Sequence, residues 1–465
     1  MSGTKVATAR TKASRTGRKR GPEHAPDRWA PRPEREAWGK SRRDVVPRAE
    51  QAIWHPARER DDPLETLHAS HRGRVPDLLP VKWGRMAASP FGYFRGAVAV
   101  MAKDVGRRAH TGLFVQLCGD AHVRNLGAYA SPDGHLVFDL NDFDMAWPGP
   151  WEWDLKRLAT SVVLAGREAG DSEALCRDAA VATVRAWREA LWRFAGTPVL
   201  DLFRHPVLRY REKSPVHAAL TSAARQTPKR AAAKLTGVDP AGRRRLLHKP
   251  PLVLTVPPAT ARKVLVALRR YHETVSDNRR LVLDAFRPVD VAFKVVGTGS
   301  VGLRDWAVLC EGPGGDDPLM LQVKEAEASV WAPYHRAASV PAHHGCRVAQ
   351  AQHRIQTVVD PFLGWATVER RPFLVRQLSD HKASVDMTTL RGASLVEYGL
   401  VCGELLAKAH ARTGDPCALA GYAGRTDRLD RALAAFALAY AEQTESDHAR
   451  LVAAIRAGRI KALEA

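Results

Sequence analysis

Apolar residues recur along this chain with two different periods, and the change from one to the other divides it. Up to about residue 60 no period is sustained. Lys, Arg, Thr, Ser, Pro and Gly are mixed there, which predicts a mostly disordered basic tail. From Pro63 patterning begins and is interrupted by Pro90-Phe91-Gly92. Phe94 to Val105 then predicts one helix leading into a strand at Leu113–Leu117. Trp151-Glu152-Trp153-Asp154 opens a helix with Leu155, Leu158, Val162 and Ala165 on one face, the 3.6-residue period. Helical spacing continues through Ala179–Phe194, less regularly to Leu235, and again over Ala261–Leu283 after the proline-rich apolar stretch Lys249–Pro258.

At Asp290 the texture becomes that of strands. Val291–Val296, Arg304–Glu311 and Leu319–Lys324 read as three of them, the last two joined by the turn Gly312–Pro318. A helix Cys346–Val359 follows, with Val348, Ala351, Ile355 and Val358 on one face. Strands at Trp365–Glu369 and Phe373–Leu378 bring the count to five. Ser394 and Glu397 have capping-box spacing for a helix with Leu395, Tyr398, Cys402, Leu405 and Ala409 on one face, and Gly414 is placed to end it. The last fifty residues are Ala/Leu-rich and helical. The pattern therefore predicts an α+β chain: a tail 1–60, a helical lobe 61–285, a small strand lobe 286–380, and helices 381–465 returning to the large lobe.

Composition adds limits. With 465 residues, 45% apolar and 26% charged, the chain can bury a substantial core in two or three lobes. No apolar run is long enough for a transmembrane helix, and the basic N-terminus lacks the apolar stretch of a secretory signal. Six scattered cysteines without a C-x-x-C pair suit reduced thiols in a cytoplasm better than disulfides or zinc. The net charge of +21 is uneven. Residues 1–75 hold eighteen Lys/Arg against ten Asp/Glu, and residues 204–249 hold twelve against two. Such runs commonly only solvate a face; otherwise they attract anions such as nucleic acid, an acidic surface or a phosphorylated substrate.

The stretch Cys118–Asp154 carries the chemistry. A Gly119-Asp120-x-His122-x-x-Asn125 turn is followed by the turn signal Ser131-Pro132-Asp133-Gly134, an apolar strand, and Asp142-Phe143-Asp144. Asp and Asn often serve only to cap tight turns. Here two carboxylates and a carboxamide on turns beside a strand also match what magnesium and phosphate require, namely hard oxygen ligands from one or two side chains. Phosphoryl transfer needs a carboxylate to take the acceptor's proton and side-chain oxygens to hold metal. Asp120 suits the first role, Asn125 and Asp142 the second, with Asp144 and Asp139 in reserve. His122 orients the turn by hydrogen bonding. Gly297-Thr298-Gly299-Ser300-Val301-Gly302 lies between two strands, as a phosphate-covering loop does, although glycine turns also serve as plain hairpin connections. Lys324 ends the third strand, where an ammonium can pair with the phosphates of ATP or simply be solvated.

These residues resemble a family. Cys118-Gly-Asp120-Ala-His122-Val-Arg-Asn125 is similar to the catalytic turn of aminoglycoside-phosphotransferase-like and choline-kinase-like enzymes. Asp142-Phe-Asp144 with Asp154 resembles their metal loop and its following Asp. Gly297–Gly302, Lys324, the helix 346–359 and the strands 365–378 look like their small lobe. Helix 394–412 resembles the helix that normally precedes the catalytic turn. The resemblance implies a two-lobed protein-kinase-like fold with a helical large lobe and a five-stranded antiparallel small lobe. It also implies circular permutation, because the catalytic and metal loops precede the glycine loop. From about residue 65 the chain also resembles an uncharacterised bacterial family, domain of unknown function 2252. The landmarks are Ser89-Pro-Phe, Phe94-Arg-Gly, Cys118-Gly-Asp-Ala-His, Glu152-Trp-Asp-Leu-Lys-Arg and Gln322-Val-Lys-Glu-Ala.

The implied activity is an ATP- and Mg2+-dependent phosphotransferase acting on a hydroxyl acceptor, drawn in by the basic segment 204–249 if anionic. Helix 346–359 departs from the pattern in lacking the Glu that normally pairs with the strand lysine. Gln350, Gln352, Glu325 or Glu327 are the substitutes in reach. That gap motivates an alternative, a nucleotide-binding pseudokinase without turnover. A third reading is a nucleic-acid-binding protein using the basic tail.

Overall fold

The computed structural model describes residues 25–463 except 132, 205–211, 213, 251, 296, 315, 338 and 379–381. Helices α1 (Arg32–Ser41), α2 (Pro63–Ser70), α3 (Leu79–Ala87), α4 (Pro90–Gly96) and α5 (Val98–Gly106) lead the described chain. Then come β1 (Phe114–Leu117), the hairpin of β2 (Leu126–Ala130) and β3 (Leu136–Leu140), and β4 (Trp147–Pro150), which pairs back antiparallel on β1. The long helices α6 (Trp151–Glu168) and α7 (Glu173–Phe194) follow directly.

The basic middle segment forms α8 (Val199–Arg204), α9 (Pro215–Ala224), α10 (Pro228–Leu235) and a small hairpin, β5 (Thr236–Val238) with β6 (Arg244–Leu246). After β7 (Val253–Thr255), α11 (Pro258–His272) and α12 (Asp277–Leu283) come β8 (Arg287–Lys294), β9 (Asp305–Glu311) and β10 (Pro318–Glu325). Helix α13 (His344–Ile355), the strands β11 (Gly364–Val368) and β12 (Arg371–Gln377), then α14 (Ala393–Thr413), α15 (Pro416–Ala423) and α16 (Arg428–Arg456) complete the order. One antiparallel sheet runs β11-β12-β10-β9-β8-β7.

Alternation fixes which way that sheet faces. On β10, Leu319, Leu321 and Val323 join Val264, Tyr271 and Phe373 in a core shared with α11. The intervening Gln322 and Lys324 therefore project from the opposite face, since successive strand residues do so. The larger core belongs to the helices: α6, α7, α14, α15 and α16 bury a continuous cluster that includes Trp151, Trp187, Tyr398 and Phe436.

Several expectations are corrected. Residues 1–24 lie outside the described residues, and the tail-based nucleic-acid reading rests mainly on them; residues 25–60, however, are folded rather than disordered. Arg43 Nε and Arg48 Nη1 donate to the carbonyls of Tyr422 and Ala423 at 2.9 Å, and Trp54 packs edge-on to Tyr440. Their arginines serve the open end of α15 instead of water. Gly39 is the pivot: a Cβ there would meet the Ala418 carbonyl oxygen at 1.8 Å. The sheet has six strands, not five, because Val253–Thr255 adds an edge, its pairing hidden in sequence by flanking prolines.

Phe94–Val105 is two helices, broken at Ala97 (φ −108°, ψ 29°) next to Gly96, which lies against Met86. The helix expected to reach Val359 ends at Ile355. Gln356 leaves helical geometry and its side chain donates to the Leu140 carbonyl at 2.5 Å. Ser394 and Glu397 form no capping box. The N-cap is Gly392 (φ 60°), and the Asp171 carboxylate accepts its N–H at 3.0 Å, a cap supplied from a distant helix end. Gly414 does close α14, donating to the His410 carbonyl at 2.8 Å.

Gly39→Ala is expected to destabilise the protein by roughly 1–3 kcal/mol through overpacking and to open residues 32–54 to proteolysis. An unchanged digestion pattern and melting temperature would show that this segment does not pack on α15.

Candidate functional site

The site begins with a buried helix. Every residue of α6 from Trp151 to Gly166 is buried, including four charged ones. Asp154 and Arg157 stand one turn apart and so share a face. Asp154 accepts the backbone N–H of Cys118 at 2.8 Å with one oxygen and of Gly119 at 3.0 Å with the other. Arg157 Nε donates to Asp120 Oδ1 at 2.5 Å, and its Nη2 to the Phe94 carbonyl at 2.9 Å. Gly119 itself has φ 83°, and a Cβ there would meet the Met145 carbonyl at 1.9 Å. The turn after β1 is thus gripped through its backbone and its first acidic side chain.

Within the turn, Asn125 Nδ2 donates to the Asp120 carbonyl at 2.8 Å, leaving its amide oxygen as the side chain's acceptor. His122 is buried, accepts the Arg124 N–H at Nδ1, and places Nε2 3.8 Å from Asp120 Oδ2. Burial, then the surrounding arginines, hold His122 well below its usual pKa, so it is neutral with its proton on Nε2. Burial pushes the Asp120 carboxyl up to about 6 against the pull of Arg157.

The facing wall comes from the sheet. Lys324 Nζ lies 2.5 Å from Asp144 Oδ2, and Ser300 Oγ donates to the same oxygen at 3.2 Å. Burial favours the neutral forms of both partners. Asp142 and Asp144 nonetheless hold Lys324 above the usual lysine range, and Lys324 in turn holds Asp144 below the usual carboxylate range. Asp142 Oδ1 accepts the Asp144 N–H at 3.2 Å and has no ion pair among the described residues. From α13, Arg347 fastens the loop by donating to the Asp144 carbonyl at 2.8 Å and the Ala146 carbonyl at 2.5 Å.

Between the two walls is a cleft of about 480 Å³. Asp120, His122, Asn125, Asp142, Asp144, Gly297, Thr298, Gly299 and Ser300 all line it. Gly302 (φ 91°) instead packs on Arg74, and Lys324 does not line the cleft itself but pairs with Asp144, which does. Asp139 is elsewhere, in a buried ion pair with Lys408 of α14, and so is no reserve ligand. None of the four side chains expected to serve Lys324 is bonded to it. Glu325 pairs with Arg304 and Arg371, Glu327 with Arg74, Gln350 with Cys346 and Gln352 with Gln356.

The cleft's roof and floor come from residues outside the motif-bearing stretches of the sequence. Arg74 Nη1 donates to the carbonyls of Gly299 at 2.6 Å and Val301 at 2.7 Å, Lys82 Nζ to Gly299 at 2.8 Å, and Arg85 to Gly297. The glycine loop is held by its carbonyls from α3 and the turn before it. Arg72, Arg74, Lys82 and Arg95 line the cleft, whereas no described residue of 204–249 does. The available signal was Lys82 and Arg95 standing among apolar neighbours, in Leu79-Pro-Val-Lys-Trp and Tyr93-Phe-Arg-Gly, where helix periodicity predicts burial.

Among the described residues no group of three or more His, Cys, Asp or Glu could hold a metal ion. Asp142 and the Asn125 amide are hard oxygen donors that fit magnesium, which takes its other ligands from water and phosphate. A charged cleft between an antiparallel sheet and a helical body, in a mixed α+β chain, is thus the class this structure defines. One family model, described as "Uncharacterized protein conserved in bacteria (DUF2252)", matches residues 74–454, and the chain belongs to that family. No curated protein and no solved structure matches it. Among the described residues no helix is long and apolar enough to cross a membrane, and all six cysteines are free and buried.

Beneath the roof, His71 packs on Trp83 at 4.7 Å and both its ring nitrogens are buried without partners. Burial, then Lys82 and Arg74, push its pKa from 6.5 down to about 2. Below about pH 6.5 only the unfolded chain takes up this proton, so stability falls with pH by up to about 1.4 kcal/mol per unit. His71→Phe is expected to flatten the decline in melting temperature between about pH 7 and pH 5. Parallel declines in both proteins would show that His71 is not held neutral.

Proposed function

We propose that this chain is an ATP- and magnesium-dependent phosphotransferase, built as a circularly permuted, two-lobed kinase-like fold. The observation that carries the reading is the Lys324–Asp144 ion pair at 2.5 Å. It joins the strand lysine, the Asp142-Phe-Asp144 loop and Ser300 of the glycine loop, with Asp120 and Asn125 lining the same cleft. The element order supports the permutation. Two strands flank a glycine loop, a third bears the lysine, and a helix and two more strands follow, all after the turn 118–125.

The mechanism follows from the side chains. Lys324 and the glycine loop orient the phosphates. Magnesium held by Asn125 and Asp142 would neutralise phosphate charge and polarise the transferred group. Asp120 keeps Oδ1 on Arg157 and offers Oδ2 to the acceptor hydroxyl. The acceptor oxygen forms a bond to the γ-phosphorus as the bond from that phosphorus to the bridging oxygen breaks, its electron pair leaving with ADP. The hydroxyl proton passes to the Asp120 carboxylate.

One observation favours binding without turnover: no glutamate of α13 meets Lys324, and Asp144 occupies it instead. Magnesium-dependent ATP binding by calorimetry, with phosphate transfer over a panel of alcohols, separates the readings. Asp120→Asn is expected to lower transfer by roughly 10²–10⁴-fold, as loss of a positioned base does, with ATP affinity changed only a few-fold. Asp142→Asn is expected to weaken binding that depends on magnesium. Undiminished transfer by Asp120→Asn, or an absence of magnesium-dependent ATP binding, sinks the proposal.

A further inference from the structure

The cleft holds more positive charge than its own acids balance. Asp120 is matched by Arg157, Asp144 by Lys324, Glu327 by Arg74, and Glu325 by Arg304 and Arg371. Among the described residues this leaves Arg72, Lys82, Arg95 and Arg370 lining the cleft without an ion-pair partner, against Asp142 alone.

Arg95 is the most informative of these. Its Nε is buried without any hydrogen bond. A guanidinium carries five N–H donors in a fork that fits an oxyanion, and a buried donor left without an acceptor is costly. Lys82, which lines the same cleft, is fully enclosed and bonds only the Gly299 carbonyl, although an ammonium has three donors to place. Burial pushes Arg95 down to about 10 and Lys82 well below the usual lysine range, and Asp120 opposes both shifts.

Position decides which ligand this charge serves. Arg157 bridges Asp120 to the carbonyl of Phe94, the residue before Arg95. Arg95 is therefore fixed to the wall that would take the acceptor's proton, not to the sheet that carries Lys324. At the rim, Arg370 and its neighbour Glu369 adopt φ of 66° and 49° in the β11–β12 turn, where Asn-Gly would fit without strain. The turn keeps an unfavourable conformation and presents an arginine to the cleft.

We infer that the acceptor carries a phosphate or carboxylate group, bound by Arg95 with Lys82 lining the same cleft, so that its hydroxyl meets Asp120. The word acceptor rests on the phosphotransferase reading; the anion site does not. The test is calorimetry on the full chain with inorganic phosphate, alone and with saturating Mg-AMPPNP, in wild type, Arg95→Gln, Arg95→Lys and Lys324→Met. Wild type is expected to bind phosphate in both conditions. Arg95→Gln should weaken phosphate by at least about tenfold, the loss of a charge-assisted bond, and leave AMPPNP affinity within about threefold. Arg95→Lys should recover part of the phosphate affinity, and Lys324→Met should weaken AMPPNP but not phosphate.

Unchanged phosphate affinity in Arg95→Gln overturns the inference. So does an equal loss of phosphate and AMPPNP, which would assign Arg95 to the nucleotide. If AMPPNP fails to bind wild type while phosphate binding still depends on Arg95, the anion site stands and the phosphotransferase reading falls. Glycerol 3-phosphate and glycerate then identify the favoured group by which binds tighter, and uncharged glycerol binding as tightly as either overturns the inference.

Discussion

Asp154 and Arg157 hold the turn 118–125 in place, and the rest of the cleft is arranged around that grip. A carboxylate buried without partners would cost several kcal/mol, but Asp154 spends both oxygens on the amides of Cys118 and Gly119. Arg157 spends its guanidinium on Asp120 and the Phe94 carbonyl, and stacks over the Phe94 ring at 4.2 Å. Because α6 is enclosed on all sides, neither side chain has water as an alternative. Removing either would strand a buried charge or two buried amides, so the geometry of Asp120 is set by the core itself.

The opposite wall obeys the same constraint by a different route. Lys324 stands on a central strand, paired on both edges by β9 and β12, and its face of the sheet turns toward the loop of Asp144. With no acid on α13 available, the ammonium takes Asp144 as its counterion, and Arg347 locks the backbone of that loop. The glycine loop is drawn down through its carbonyls by Arg74, Lys82 and Arg85. A loop held by its carbonyls keeps its N–H groups as its remaining donors, the polarity that suits an anion.

The residues legible in sequence are those whose meaning lies in local spacing. Asp120, Asn125 and Asp142 could be singled out because turn chemistry and strand alternation act over a few residues. Lys324 could be found because its strand and the glycine loop before it form one short pattern. Arg74 and Arg157 could not, since Arg74 meets Gly299 from 225 residues away, and Lys82 and Arg95 showed only as cations at helix positions that periodicity predicts to be buried. Asp139 shows the opposite error. By composition it belonged with Asp142 and Asp144, yet strand β3 turns it inward to Lys408.

The sequence by itself determined the alternation of helical and strand regions, the turn at 118–125 and most element centres, because periodicity and turn preferences are short-range. The tertiary structure alone decided which charges neutralise one another. Only it showed that the segment 25–60 docks on α15, that Gly392 is capped by Asp171, and that the cleft is lined with cations from residues 72–95. Ion pairs and close backbone approaches depend on separation in space, and nothing in the order of residues records that separation once the chain has folded back on itself.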